Sequence, residues 1–267
     1  MTCGIPMGSH AIRAEIAMAV FRSIVLSSVI VGLMVGGVVT VLQHLSTLPL
    51  ILKGEIYEEA MPANVSGSEA HVVTTQESGG HGHRAVVWAP KNGWERSGYT
   101  LLANILAATG FALLLGGIYT LRGHAVTGRE GVVWGAAGFL VFVVAPGVGL
   151  PPTLPGVPTA PLESRQLWWI ATAGASAAGL ALWVFKREAW AAALGLGLIA
   201  LPHVVGAPKL LTDFHTNVPQ ELSHQFVAGV VLTGFVFWAL LGYLTAIVQR
   251  RLTEARLASD SYPHKGT

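Results

Sequence analysis

Apolar residues along the chain fall into long blocks that are separated by polar stretches. Each block is about twenty residues long, which is the length that a helix needs to cross a hydrocarbon core of about 30 Å. The blocks are far longer than barrel strands and do not alternate between apolar and polar positions, so they predict helices. The pattern indicates an all-α, polytopic membrane helical bundle of about six transmembrane helices, at about 22–45, 99–121, 131–150, 166–185, 189–207 and 225–248.

The fifth of these spans is the weakest, because it is short and ends close to Pro202 and Pro208. A bundle of five spans is therefore the alternative. The first span resembles a secretory signal, but its apolar stretch is too long and no clear cleavage site follows, so we expect it to be retained. The bundle then covers 22–248, with an extension at 1–21 before it and a tail at 249–267 after it.

The connections between the spans differ in length and composition. The first, at 53–98, is long, polar and glycine-rich at its centre, which predicts a flexible outer loop. The second and fourth are tight and should hold their flanking helices antiparallel. The third, GLPPTLPGVPTAPLE, is rich in proline and cannot be helical, so we expect a stiff, extended cap.

Composition excludes an ordinary soluble domain. The chain is 52% hydrophobic and 11% charged, whereas soluble domains carry about 25% charged residues. Ten Lys and Arg residues fall on the side of the two termini and six on the other side, which predicts cytoplasmic termini and a multi-pass protein of the cell inner membrane. The basic residues form no stripe with interleaved aromatics, so membrane lipids are expected partners and nucleic acid is not.

The candidate chemistry of the chain is that of histidine and carboxylate rather than of cysteine. A single cysteine, Cys3, cannot build a thiolate cage, so any metal site must use imidazole, carboxylate, thioether or backbone oxygen. The predicted topology places seven of the ten histidines on the outer side. Imidazole suits Zn, Cu, Ni and Co ions, which makes a divalent transition metal the leading ligand class.

Two histidines stand two residues apart in the long loop. His81 and His83 lie in GGHGHR, where an extended chain puts both on one side and the glycines let it wrap an ion. Weak capture of a divalent cation is one interpretation. A polar loop that happens to contain histidines is the other.

A third histidine lies at membrane depth beside proline. His203 is in LPHVVGAP, and prolines free carbonyl groups that a regular helix would use. Ionisable groups at this depth usually face the bundle interior or a water-filled cavity. His203 is therefore a candidate pathway residue, or else a helix-end histidine that faces interfacial water.

Further candidates gather at the predicted outer rim. Glu55 follows the first span, and Glu221 and His224 precede the sixth, three apart on one helical face. Such a pair can bind metal in a bundle, although a solvated helix start explains it equally simply. His44, near the outer end of the first span, could join this group.

The second span contains one amide side chain, Asn104. Its side chain could coordinate a cation through oxygen, or it could bond to a neighbouring helix. Close helix contacts are expected at the small residues Gly32, Gly36 and Gly37 of the first span. The sequence contains no P-loop, no HExxH and no GxSxG motif, so we predict no enzyme activity and no permanently bound cofactor.

Several stretches together resemble the CbtA family of predicted cobalt transporter subunits. They run in order over roughly 21–245, and the most specific of them are GLPPTLPG with RQLWW, and LPHVVGAP. The others are FRSIVLSSVIVGL, PLILKGEIYE, WAPKNGWER, YTLLANILAATGFALLL, VVWGAAGFLVFVVAPGVG and VPQEL.

The resemblance implies a cobalt transporter subunit linked to cobalamin supply. It also implies a small single-span partner, a CbtB-like subunit that bears histidine, and a homo-oligomer is possible beside it. The family pattern assigns no ligand set. With the residues above, it favours transport of Co²⁺, and the alternatives are a transporter or channel for another small solute, or a non-transporting membrane scaffold subunit.

Overall fold

The fold is known from a computed structural model, which describes residues 8–60, 90–186, 188–210 and 216–261. His81 and His83 lie outside these ranges, as does most of the long first loop. In the described part, the chain is helical and has no strand. The elements are α1 (Gly8–Leu45), α2 (Thr47–Glu59), α3 (Trp94–Leu121), α4 (Gly128–Phe139), a π-helix (Leu140–Val144), α5 (Ala145–Gly149), α6 (Leu162–Phe185), α7 (Ala189–Val205) and α8 (Gln220–Ser261).

Five stretches of helix in the described ranges are long and apolar enough to cross a membrane. They are Ala17–Leu45, Trp94–Leu121, Gly128–Gly149, Leu162–Phe185 and Gln220–Ala255. Helix α7 is apolar too, but it has 17 residues and is shorter than the others. The prediction of an all-α membrane bundle is therefore confirmed for five spans, and the sixth span and the side of the termini stay predictions.

The chain forms two compact units. Unit 1 consists of Met1–Thr40, Thr100–Ala136 and Val236–Thr267. Unit 2 consists of Val41–Tyr99 and Ala137–Phe235. Each unit is described below by its own contacts.

In unit 1, helices approach one another closely at glycine. A Cβ atom at Gly36 of α1 would lie 2.7 Å from the backbone of Ile105 in α3, and one at Gly32 would overlap the Thr109 hydroxyl. The expected role of these two glycines in helix contacts is confirmed. The prediction is wrong for Gly37, which faces open space because it lies on another side of α1.

The start of α4 in unit 1 is fixed by a capping box. The backbone N–H of Thr127 donates to the Glu130 carboxylate at 2.8 Å, and the N–H of Glu130 donates back to the Thr127 hydroxyl at 3.3 Å. This reciprocal pair satisfies two N–H groups that a helix start leaves open. It explains why the helix begins at Gly128, directly after the short second loop.

In unit 2, α6 and α7 form an antiparallel hairpin. A Cβ atom at Gly195 would lie 2.6 Å from the carbonyl oxygen of Gly179, so both positions require glycine's small size. Towards the other end of the hairpin, the indole N–H of Trp168 donates to the carbonyl oxygen of Pro202 at 3.3 Å. The short fourth loop predicted this antiparallel arrangement.

The proline-rich third connection in unit 2 is non-helical, as its composition predicts. It turns at Gly156, whose φ of +80° is a conformation that glycine adopts readily. The segment packs on α2, where a Cβ atom at Gly54 would lie 3.2 Å from Pro155. A hydrophobic core holds it in place, formed by Leu154, Val218 and Phe226 with the flanking residues Leu50, Ile51, Tyr57, Val157, Leu222 and Val230.

Candidate functional site

Glu55, one of the predicted metal ligands, forms an ion pair. Arg96 Nη2 in the first turn of α3 donates to Glu55 Oε1 of α2 at 2.6 Å, and both side chains are about three-quarters buried. The same guanidinium also donates to Asn92 Oδ1 at 2.8 Å. The positive charge of this guanidinium opposes the binding of a cation at Glu55.

His44, also in unit 2, contacts the residue that follows Arg96 in sequence. Its Nε2 forms a 2.8 Å hydrogen bond with the Ser97 hydroxyl, which directly follows Arg96. Two polar contacts thus tie the end of α1 and the middle of α2 to one turn of α3. His44 and Glu55 thus contact two consecutive residues of α3, Ser97 and Arg96. Their role as metal ligands stays a prediction.

His203 lies near the end of α7 and is half-buried. Its ring meets the Trp168 ring edge-on, with 5.8 Å between the centroids. Helix α7 continues through Pro202 as far as Val205 and ends at Gly206, which has a φ of +89°. The Pro202 carbonyl accepts hydrogen bonds from both the Trp168 indole and the Gly206 N–H, so this carbonyl is already occupied.

The two remaining rim candidates lie on the first turns of α8. Glu221 is exposed and accepts a 2.9 Å hydrogen bond from the Gln225 amide. His224 is exposed as well. The helical spacing that predicts one shared face is present, since both residues belong to the same helix.

In unit 1, Asn104 makes the interhelical bond that was one of its two expected roles. Its Nδ2 donates to the Thr40 hydroxyl of α1 at 2.9 Å. That hydroxyl in turn donates to the Gly36 carbonyl at 2.8 Å. A role for Asn104 as a cation ligand stays a prediction.

Among the residues that the structure describes, no three His, Cys, Asp or Glu side chains come together as a metal site. The predicted ligands instead occupy separate contacts, with Ser97, Arg96, Trp168 and Gln225 as their partners. His81 and His83 lie outside the described ranges.

A cavity of about 870 Å³ lies in unit 2 between the proline-rich segment and the start of α6. The sequence does not predict this cavity, because its walls depend on how the non-helical segment folds. Its charged lining residues in the described part are Arg165 and Lys209. Since both are cationic, this cavity does not suit a bare metal cation.

Buried hydroxyl groups are a second feature that the sequence analysis did not single out. Thr172 and Ser176 of α6 are buried in unit 2, and their oxygens have no hydrogen-bond partner in the described structure. Isolated Ser and Thr residues scarcely change the average hydropathy of a span. Only the packing reveals that these hydroxyls face protein rather than lipid.

Comparison with known families gave one result. A model of the CbtA family, described as a probable cobalt transporter subunit, matches residues 21–250. The matched region contains α2 to α7 and most of α1 and α8. No curated protein and no solved structure matches the chain.

Proposed function

Because this chain belongs to the CbtA family and is a membrane transporter subunit for cobalt, we propose that it carries Co²⁺ across the cell inner membrane and supports cobalamin supply. The match over residues 21–250 is the observation that carries this proposal. A Co²⁺ ion cannot enter hydrocarbon at a tolerable cost, so the protein has to offer it a polar path.

The proposed entry uses the polar side chains of unit 2. His44, Glu55, His203, Glu221 and His224 supply imidazole and carboxylate groups, which are suitable ligands for Co²⁺. Because Glu55 is paired with Arg96, the charge of the guanidinium would oppose the incoming ion at this carboxylate. We propose that His81 and His83 gather the ion before this step, and that Asn104 of unit 1 offers it an amide oxygen.

We propose that α7 is a sixth span and that both termini are cytoplasmic. Seventeen residues at about 1.5 Å each give a helix of roughly 26 Å, close to the hydrocarbon thickness. The antiparallel contacts from Gly179–Gly195 to Trp168–Pro202 span about half of α6. A helix that accompanies a full span for this distance is expected to cross the same layer.

The proposed energy source is the membrane potential or a partner subunit, because the sequence carries no P-loop. The family description names a subunit, which implies an assembly. We propose a small single-span CbtB-like protein as the other component, with a homo-oligomer as a possible form. Catalysis has no part in this proposal.

Uptake of radioactive cobalt tests the proposal directly. Cells that express this chain with the small partner should accumulate more Co²⁺ than cells with an empty vector. Loss of this uptake when the membrane potential is dissipated would assign the energy source to the potential, and its persistence would assign it to a partner subunit. Uptake equal to the empty-vector control, with the protein present in the membrane, would contradict transport and favour a scaffold. Uptake of another small solute in the absence of cobalt would favour a transporter or channel for that solute.

The role of the long loop needs a separate variant. Deletion of residues 68–84 removes His71, His81 and His83. If the loop gathers the ion, uptake should fall at low Co²⁺ concentration and recover at high concentration. Replacement of the three histidines by Gln is the matched control, since it keeps the length of the loop.

A further inference from the structure

The cavity of about 870 Å³ beside the start of α6 has two kinds of lining. Most of its wall is apolar and comes from the proline-rich segment, from Trp169 and Ile170 of α6, and from Leu210. The charged residues of the described lining are Arg165 and Lys209, and no described carboxylate belongs to it. Its volume is within the range of about 300–1,000 Å³ that is usual for small-molecule sites. This lining suits a ligand that is anionic at one end and apolar at the other.

The positive charge of the cavity lies at the end of a membrane-crossing helix. Arg165 is the fourth residue of α6, and its Nε atom is buried. Lys209 follows the end of α7 and is exposed, so its flexible ammonium group can approach a ligand. Glu163, in the same turn as Arg165, is exposed and does not line the cavity. The two cations therefore favour an anionic group, and phosphate is a strong partner of both arginine and lysine.

The apolar part of the cavity continues along an exposed face of α6. Gln166 and Ile170 line the cavity, and Gly174 follows four residues later, so the three share one side of the helix. All three are exposed, and a Cβ atom at Gly174 would have no atom within 4 Å. Exposed apolar surface on a membrane-crossing helix lies against lipid chains. A soluble anion would use only the charged part of this surface, whereas a lipid would use both parts.

Trp169 lies between the charged and the apolar parts in the order of α6. Its ring packs against Phe142, with 6.0 Å between the centroids, and it is 37% exposed. Tryptophan is enriched at the level where the hydrocarbon meets the headgroups. This level is also that of the phosphate groups of the lipids, so Trp169 places the basic side chains of the cavity at the depth of a headgroup.

We propose that this cavity binds an anionic phospholipid, with its phosphate at Arg165 and Lys209 and one acyl chain along Ile170 and Gly174. The phosphate would link the start of α6 to the chain that follows α7. The bound lipid is a resident component of the membrane and not a transported solute. The inference is therefore independent of the proposed transport of Co²⁺.

Lipid selectivity of the purified, full-length chain tests this site. The protein is freed of lipid in detergent and titrated with dioleoyl phosphatidylglycerol or with dioleoyl phosphatidylcholine, which share acyl chains and differ in net charge. Native mass spectrometry measures the affinity for the first lipid bound. Phosphatidylglycerol should bind at least about tenfold more tightly, because two basic side chains face its phosphate. Equal affinity for the two lipids would overturn the proposal.

A charge-neutral pair of substitutions assigns this selectivity to the cavity. Arg165→Gln with Lys209→Gln should lower the affinity for phosphatidylglycerol to about that for phosphatidylcholine. Lys91→Gln with Arg129→Gln is the matched control, because it removes one lysine and one arginine that are exposed and do not line the cavity. Retained selectivity in the test pair, or equal loss in both pairs, would contradict the site.

A single variant covers the case in which the double variant does not fold. Lys209→Gln changes an exposed residue that follows α7, so the fold should tolerate it. It should still reduce the selectivity several-fold. Unchanged selectivity in this variant would contradict the contact between Lys209 and the phosphate.

Two further measurements distinguish a lipid from a soluble anion. Gly174→Leu fills the open space beside Ile170 and should weaken the binding of phosphatidylglycerol several-fold without any change of charge. Gly197→Leu is the matched control, because Gly197 of α7 also has no atom within 4 Å of an added Cβ and does not line the cavity. Equal affinities in these two variants would contradict the path of the acyl chain. Displacement of the lipid by excess inorganic phosphate, but not by chloride at equal ionic strength, would assign the cavity to a free anion and overturn the proposal.

Discussion

Arg96 donates a 2.6 Å hydrogen bond to Glu55, which joins the first turn of α3 to α2. The pair could have either of two roles. If it only stabilises the fold, loss of either partner should have the same effect. If Glu55 is also a metal ligand, the guanidinium competes with the cation, and removal of the guanidinium should make the carboxylate available.

We therefore predict opposite effects of Glu55→Gln and Arg96→Gln on cobalt uptake. Glu55→Gln removes a ligand and should raise the apparent KM for Co²⁺. Arg96→Gln removes a competitor and should lower it. Each change should cost about 1 kcal/mol of stability, the usual scale of a partly exposed ion pair. Concentration-dependent uptake measures KM, and thermal unfolding in detergent measures stability.

The exposed Lys91→Gln is the control for loss of positive charge near the same turn. It should leave KM unchanged. Equal increases of KM in Glu55→Gln and Arg96→Gln would mean that the pair is only structural.

We predict that His203→Ala lowers cobalt uptake several-fold. The ring is half-buried beside Trp168, and neutral imidazole is a good ligand for Co²⁺. Val204→Ala is the matched control, because the next residue is 81% exposed and should contribute only to lipid contact. His203→Ala uptake equal to that of the unchanged protein would remove this residue from the path.

We predict that Gly36→Ala destabilises the protein and that Gly37→Ala does not. A methyl group at Gly36 would lie 2.7 Å from the Ile105 backbone, which cannot move aside as a flexible side chain could. Overpacking of this kind costs about 1–3 kcal/mol. Gly37 has no atom within 4 Å of the added carbon, so alanine there should be neutral or gain up to about 1 kcal/mol from helix propensity.

Thermal unfolding of both purified variants in the same detergent checks this comparison. The two substitutions are identical in chemistry and adjacent in sequence, so only packing separates them. A similar melting temperature for both would contradict the close approach of α1 and α3.

The sequence predicts the class of fold well because apolar block length depends only on the thickness of the membrane. It also predicts the antiparallel α6–α7 hairpin, since a tight connection leaves little choice. It does not predict α2, a 13-residue helix at the start of the predicted first loop. Helix α2 is packed against Leu154 and Pro155, and such tertiary contacts are invisible in local composition.

The candidate site was harder to predict for a related reason. Spacing identifies chemically suitable residues such as His44, Glu55 and Asn104, but it cannot say which neighbour each of them meets. The partners Ser97, Arg96 and Thr40 are 53, 41 and 64 residues away in sequence.

We predict that Asn104 and Thr40 act as one interhelical pair. A double-mutant cycle with Asn104→Leu and Thr40→Val should give a coupling of about 0.6 kcal/mol, the average for hydrogen bonds between membrane helices. If this bond is the whole role of Asn104, both single variants should change cobalt uptake equally. A larger increase of KM in Asn104→Leu than in Thr40→Val would instead assign a ligand role to the amide.

The last prediction concerns the number of spans, because α7 decides on which side the chain ends. In a Cys3→Ser background, single cysteines at Lys91, Glu188, Asn217 and Ala255 sample four exposed positions between and after the helices. Six spans place 91 and 217 on the outer side and 188 and 255 on the cytoplasmic side. If α7 does not cross, 217 and 188 share one side and 255 moves to the opposite side.

An impermeant maleimide applied to intact cells separates these outcomes, and the same reagent on permeabilised cells controls for reactivity. We expect labelling of 91 and 217 alone, because α7 packs antiparallel to α6 from Gly195 to Pro202, which is about half of its length.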